Sequence, residues 1–394
     1  MIQITDKSLC CGCASCVQKC PKQCISLKED CEGFLYPEVD KSICIDCGLC
    51  KKVCPVHYQG EEHKPLKVYA AKNHDEEIRK QSSSGGIFTW IAEKVIQEGG
   101  VVFGARFDEN WEVRHDYTET FEGLAAFRGS KYVQSRIEDN YRKAETFLKQ
   151  GRKVLFCGTP CQIAGLKCFL RKEYENLLTI DIVCHGVPSP GVWRKYLIEK
   201  IAGISDDKRN IRVEEISFRD KITGWKNYSF SLTLSHFDEN RIRHNKSYSE
   251  LSRKNYFMKG FLADLYLRPS CYACPAKSGK SGSDITLGDL WGAPNIIGNE
   301  DDDRGTCLTL INKDIPFLKD YSSLWMKEID YNAALIHNPA IEHSAKIPLN
   351  RTLFFQSFEG MESLEKTVQK LTKVKLYNKT IYCVKRIIKG LFNL

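Results

Sequence analysis

Nowhere in the 394 residues is there an apolar run long enough to cross a bilayer. The opening Met1-Ile2-Gln3-Ile4-Thr5-Asp6-Lys7 also lacks the basic start and apolar core of a secretory signal. A cytoplasmic chain with reduced thiols is therefore expected, and a disulfide framework is not. A large excess of one charge is missing too. The formal net charge is +8, modest for this length, so nothing demands nucleic acid. An acidic electron carrier, an anionic cofactor or a membrane surface stays compatible with it. With 42% hydrophobic and 27% charged residues the composition is that of a globular protein, and the length suits two or three domains.

What is abundant is cysteine. Of 19 cysteines, eleven fall between Cys10 and Cys54. Asp6-Lys7-Ser8-Leu9-Cys10 is echoed by Asp40-Lys41-Ser42-Ile43-Cys44, and each ligand-spaced cysteine recurs 34 residues later. Cys10, Cys13, Cys16 and Cys20-Pro21 spell C-x2-C-x2-C-x3-C-P, and Cys44, Cys47, Cys50 and Cys54-Pro55 spell it again. Two-residue gaps let a looped backbone bring three thiolates to three corners of one cubane, while the fourth cysteine leads away and serves the other cluster. One 4Fe–4S cluster is expected on Cys10, Cys13, Cys16 and Cys54, the other on Cys44, Cys47, Cys50 and Cys20. Zinc ribbons use paired cysteines, so a third regular ligand plus a remote fourth argues against zinc. Cys11, Cys24 and Cys31 lie outside the pattern and read as core or surface thiols.

After this 1–60 module, Gly60 to Pro65 reads as a linker (61–66), and the texture turns α/β. Strands are expected at Lys67–Ala71, Val101–Ala105, Lys153–Phe156 and Leu178–Val183, with a helix over Ile87–Gln97. Glu214–Phe218 and Tyr228–Leu234 alternate like antiparallel strands, so a mixed sheet is expected. The fold class is α+β and multidomain: a small bacterial-type ferredoxin domain, then an α/β domain over 67–345. A helical basic tail follows over 346–394. Within it Ile381, Val384, Ile388 and Leu391 fall at helical spacing, with Lys385, Arg386 and Lys389 mostly on other faces. Such a helix can touch an acidic membrane or a partner, or simply pack on its own domain.

Four segments in the second part combine glycine, hydroxyl or charge with the end of an element: Ser83-Ser84-Gly85-Gly86, Gly129-Ser130-Lys131-Tyr132-Val133, Phe156-Cys157-Gly158-Thr159-Pro160-Cys161-Gln162, and Asp284 to Gly292. Helix starts of this kind favour phosphate, although each alone reads equally as a turn or cap. In this order, behind a two-cluster module, they resemble the beta-subunit family of coenzyme F420 hydrogenases and dehydrogenases. Asp181-Ile182-Val183-Cys184-His185-Gly186 and Ser217-Phe218-Arg219-Asp220-Lys221 are similar as well.

The resemblance implies FAD and a third 4Fe–4S cluster. Cys161, Cys184, Cys271 and Cys274 match the family's cysteines, with Cys157 a rival to Cys161; by residue type alone, zinc or plain core thiols stay open for these four. For FAD, Ser84, Gly85, Gly86, Gly158 and Thr159 are placed near the pyrophosphate or ribityl chain. Lys131 is the candidate catalytic cation that stabilises reduced flavin, with an ordinary surface cation as the alternative. His185 reads as a hydrogen-bonding neighbour. The implied activity is electron transfer between a ferredoxin-like carrier or redox partner subunit and a two-electron organic substrate, coenzyme F420 among the candidates. The alternative is a non-catalytic subunit that delivers electrons to a partner enzyme.

Overall fold

Each cysteine-rich copy winds its loop into one short helix, Ser15–Lys19 in the first and Leu49–Lys52 in the second, in the computed structural model. The residue before each helix, Ala14 or Gly48, takes a left-handed φ of 61° or 71°. The structure describes residues 1–204, 211–237, 242–315, 321–360 and 362–373. The amphipathic pattern expected from Ile381 to Leu391 lies outside the described residues.

The strands, in chain order, are β1 (Ile25–Glu29), β2 (Leu35–Val39), β3 (Lys67–Asn73), β4 (Val101–Phe107), β5 (Val113–Thr118), β6 (Val154–Gly158), β7 (Leu177–Ile182), β8 (Arg212–Asp220), β9 (Ser229–Phe237), β10 (Arg243–Leu251), β11 (Ile285–Asp289), β12 (Cys307–Ile311) and β13 (Leu324–Glu328). β1 and β2 form an antiparallel hairpin between the two cysteine copies. The large sheet runs β13-β3-β12-β11-β7-β6-β4-β5. Its centre, β4-β6-β7-β11, is parallel, and antiparallel strands flank it on both sides.

The continuous apolar runs of β4 and β6 are explained by burial on both faces, as parallel central strands require. Val102 and Leu155 pack under helix Ile87–Gln97 with Trp90, Ile91 and Val95. Their neighbours Val101, Phe103, Val154 and Phe156 face the opposite way, against helices Asn140–Lys149 and Pro160–Leu170. Ala14 of the cysteine-rich module joins this second layer.

The expected mixed sheet is present, but the strands expected to make it mixed need correction. β8 and β9 are antiparallel strands, but they do not enter the large sheet; with β10 they form a separate three-stranded sheet. β9 turns Phe230, Leu232 and Leu234 to one face, against Trp193, Tyr196 and Phe257, and carries serine and threonine on the other. A strand with one apolar face suits a sheet covered on one side, not a centre buried on both. Helices Arg351–Glu359 and Leu364–Thr372 add Phe354, Phe355, Leu364 and Val368 to the same core. No helix among the described residues is long and apolar enough to cross a membrane.

Candidate functional site

The N-terminal cysteines group in the crossed pattern. Cys10, Cys13, Cys16 and Cys54 lie near enough that the first, second and fourth each raise the Cys16 thiol, after burial itself. Cys20, Cys44, Cys47 and Cys50 line one cavity whose other walls include Ile25 and Val39. Cys47 is exposed on the surface, whereas Cys13, Cys16 and Cys54 are buried. Cys24 joins the second group, 3.5 Å from Cys20 between sulfurs. Cys31 stays exposed and apart.

A second cavity opens where the module meets the large sheet. Cys161, Cys184, Cys271 and Cys274 line it, and so does Cys11, which the spacing set aside. Cys161 starts helix Pro160–Leu170 behind β6, in a capping box between Thr159 and Gln162, and Thr159 Oγ1 lies 3.3 Å from its sulfur. Cys184 follows β7, and Cys271 lies in the 3-10 turn Pro269–Ala273 ahead of β11, with Cys274 as its C-cap. Burial pushes Cys184 up to about 12 and Cys271 well above the usual thiol range. Hydrogen bonds to Cys13 and Cys161 push the Cys11 thiol well up, and the same bonds are the main cause that draws Cys13 down to about 7 and Cys161 below its ordinary value.

Two buried cations face this cavity, Arg268 and Lys277, the latter donating to the carbonyls of Cys184 and Ala340. Five thiols, two cations and no carboxylate make a donor set for soft metal centres with net negative charge. No group of ligand-type side chains among the described residues closes tightly enough for a single metal ion. Thiols ringing a space suit an iron–sulfide cage better than a lone zinc. His185 also lines the cavity, its Nε2 2.6 Å from Asp264 Oδ1.

The residues expected to hold flavin lie along the edge formed by the C-terminal ends of the parallel strands, Gly85 by Ala71 near the end of β3 and Gly158 and Thr159 at the end of β6, with three strands between. Ser83 Oγ is 2.8 Å from Ser130 Oγ and accepts the Ser130 N–H at 2.7 Å. Lys131 follows, half-buried, its Nζ donating to Arg128 O and Gly129 O, with Cys157 nearby. Desolvation by burial pulls its pKa down to about 7. Trp225 Nε1 donates to Ser83 O, and Trp225 packs on Trp291 at 4.9 Å between ring centroids. Arg219 pairs with Asp289 among Trp225, Tyr228 and Trp291, with Tyr132 also close, and its buried Nε and Nη2 find no well-formed hydrogen bond among the described residues. Thr306 Oγ1 is likewise orphaned, next to the carbonyl that accepts from Ser84. Unpaired buried donors beside flat rings fit a planar, anionic, polar-edged ligand such as a flavin nucleotide.

The glycines divide. Gly86 takes φ of +79° and caps helix Ile87–Gln97. Gly85 packs against the large sheet instead: a Cβ there would meet Ala71 O at 2.3 Å. Gly158 ends β6 and Thr159 caps the helix after it. Arg268 and Lys277 were not singled out from the sequence, and Cys11 was read there only as a thiol outside the ligand pattern. The one local signal was a cation three residues outside each cysteine of Cys271-x2-Cys274, namely Arg268 and Lys277.

Comparison with known families gives two models of one family, the coenzyme F420 hydrogenase/dehydrogenase beta subunit. The model of its N-terminal part matches residues 68–139 and the model of its C-terminal part matches 151–315, together more than half of the chain. The model described as the 4Fe-4S single cluster domain of Ferredoxin I matches residues 39–83. No curated protein matches significantly. Among solved structures, a chain of the F420-reducing [NiFe] hydrogenase complex from Methanosarcina barkeri is 18% identical, with a TM-score of 0.42, over 79% of this chain and 93% of that one. A likeness that loose supports no argument about function.

Proposed function

The chain belongs to the coenzyme F420 hydrogenase/dehydrogenase beta-subunit family, with a 4Fe-4S ferredoxin-type segment, and from this we propose an iron–sulfur flavoprotein oxidoreductase that links a one-electron carrier to a two-electron organic substrate. The observation that carries the reading is the meeting of three cysteine groups. The exposed Cys47 belongs to the group nearest solvent, the buried Cys10–Cys16 loop comes next, and Cys11 reaches from that loop into the Cys161, Cys184, Cys271 and Cys274 cavity. Beyond Cys157 lies the polar, aromatic wall of Lys131, Arg219, Trp225 and Trp291.

In this reading the N-terminal cysteines hold two 4Fe–4S clusters, the remaining four hold a third, and FAD occupies the wall near Ser84, Gly158 and Thr159. FAD supplies hydride chemistry on one side and single-electron exchange on the other. The chain's own residues bind, orient and charge-balance: Lys131 and Arg219 supply positive charge, Trp225 and Trp291 a flat apolar support, and Lys277 a fixed cation beside the thiols. Coenzyme F420 is one anionic substrate that such a site could accept, and the scaffold alone does not select it.

Anaerobic purification with cofactor analysis tests the reading. About twelve iron, twelve labile sulfide and one acid-extractable FAD per chain are expected. A colourless preparation, or one with clusters and no flavin, overturns it. The exposed face around Cys47, Ile43 and Ile45 also favours a partner that takes or gives electrons. A chain that never oxidises an organic donor without such a partner would be the delivery subunit instead.

A further inference from the structure

We propose that Arg268 is a counter-charge shared by two redox centres, which raises the reduction potentials of the clusters on both of its sides together. The inference rests on the cluster assignments proposed above and adds a positioning residue that those assignments do not contain.

Arg268 belongs to the large domain, three residues before Cys271, yet it is committed to the N-terminal module. Its Nε donates to Cys10 O at 2.7 Å, its Nη2 donates to Leu35 O at 2.9 Å, and the same Nη2 lies 3.5 Å from Cys10 Sγ. Nη1 donates to Gln134 Oε1 at 2.9 Å, and Gln134 in turn donates to Cys11 O at 3.0 Å. The guanidinium stacks over Tyr36, with Cζ 4.4 Å from the ring centroid. Arg268 also lines the cavity of Cys161, Cys184, Cys271 and Cys274, close enough to add to the Cys11 hydrogen bond in lowering the Cys161 thiol.

The side chain is 1% exposed, and its acceptors are neutral oxygens and a thiol. A guanidinium in that position is costly unless an anion compensates it. Thiolates of the two adjoining cysteine groups are the anions within reach. Gly12 makes the approach possible. It holds φ of +71°, and a Cβ on it would stand 2.8 Å from Arg268 Nη1. With no side chain on Gly12, the loop between Cys10 and Cys13 closes over the guanidinium without displacing it.

A fixed positive charge and N–H donors near cluster sulfur favour the more negative, reduced form. Lys277 serves the Cys184 side alone. Arg268 touches both sides, and it has no contact with the group of Cys20, Cys44, Cys47 and Cys50. The guanidinium itself gains no electron and gives up no proton.

The test compares wild type with Arg268→Gln and Arg268→Lys as complete, anaerobically loaded chains, by potentiometric titration followed by paramagnetic resonance. R268Q is expected to keep about twelve iron. Two of its three midpoints should fall, each by about tenfold in reduced-to-oxidised ratio at fixed potential, or about 59 mV for a one-electron couple. The third midpoint should not move. R268K should shift the same two by less, since the charge remains. No shift in R268Q, an equal shift of all three, or an R268K shift as large as that of R268Q would each overturn the proposal. If R268Q fails to assemble, R268K decides: movement confined to two midpoints supports the shared charge, and its absence refutes it. A wild-type chain without three clusters would instead sink the functional reading.

Discussion

Gly165, in the middle of helix Pro160–Leu170, lies so close to Cys13 that a Cβ on the glycine would stand 2.7 Å from the cysteine's own Cβ and 3.0 Å from its sulfur. Ser15 Oγ donates to the Gly165 carbonyl at 2.7 Å across the same contact. The helix carrying Cys161 thus doubles as the seat of the N-terminal module.

Gly165→Ala tests that contact, because two effects oppose each other. Helix propensity alone favours alanine by about 1 kcal/mol. Overpacking against Cys13 and Ser15 costs about 1–3 kcal/mol, and these neighbours are held by the cysteine loop and cannot swing away. The melting temperature is expected to fall and iron to be lost first from the Cys10–Cys16 side. A higher melting temperature with full iron would show that the seam is looser than described.

Cys274→Ala addresses the cavity beyond the seam. Removing one of its thiols should lower iron from about twelve to about eight per chain and leave the N-terminal spectroscopic signals intact. Cys11→Ala is the control: if Cys11 only donates hydrogen bonds to Cys13 and Cys161, iron stays near twelve. Loss of zinc from C274A would assign the cavity a different metal, and iron loss from C11A would make Cys11 a ligand.

The grouping of the N-terminal cysteines was legible because their spacing is local. C-x2-C-x2-C-x3-C-P works through the backbone between its own cysteines, and the 34-residue echo shows both copies. The strands of β4 and β6 were legible for a similar reason, since a short run of fully apolar residues has few other uses. What escaped depends on distance in the chain. Arg268 meets Cys10 across 258 positions, and Ser15 meets Gly165 across 150. Cys11 broke the ligand spacing, so nothing local separated it from an ordinary core thiol. Gly85 was legible as a special glycine, but its neighbour is Ala71 O on β3, which only the folded sheet brings there. The sheet of β8 and β9 was missed because alternation identifies a one-faced strand without naming the sheet that receives it.

Lys131 gives a pH test of the flavin wall. Its pKa, drawn down to about 7 by burial, leaves it protonated below that pH and neutral above. An anionic nucleotide binds the charged form better, so binding takes up a proton above pH 7, and affinity should weaken toward tenfold per pH unit there. Fluorescence titration of apoprotein with FAD from pH 6 to 9 measures this. Lys131→Arg should flatten the profile at high affinity, and Lys131→Gln should flatten it at low affinity. A wild-type profile already flat would remove Lys131 from the site.

His115 gives a second pH dependence, in stability. It is buried, with Nε2 3.0 Å from Cys157 O and Nδ1 3.1 Å from Ser135 Oγ, and desolvation pulls its pKa down to about 4 despite the opposing Cys157 bond. The unfolded chain binds the proton near pH 6.5, so between pH 6.5 and 4 it holds more proton than the folded chain. Stability from this group is therefore complete above pH 6.5 and drains away as pH falls toward 4, by a total on the order of 3 kcal/mol. His115→Gln keeps a neutral hydrogen-bonding side chain and abolishes the titration. Its melting temperature is expected below wild type at pH 7.5, with a shallower decline from pH 6.5 to 4.5. Parallel declines for the two chains would mean that His115 is already protonated when folded, and that the acid limb belongs to other groups.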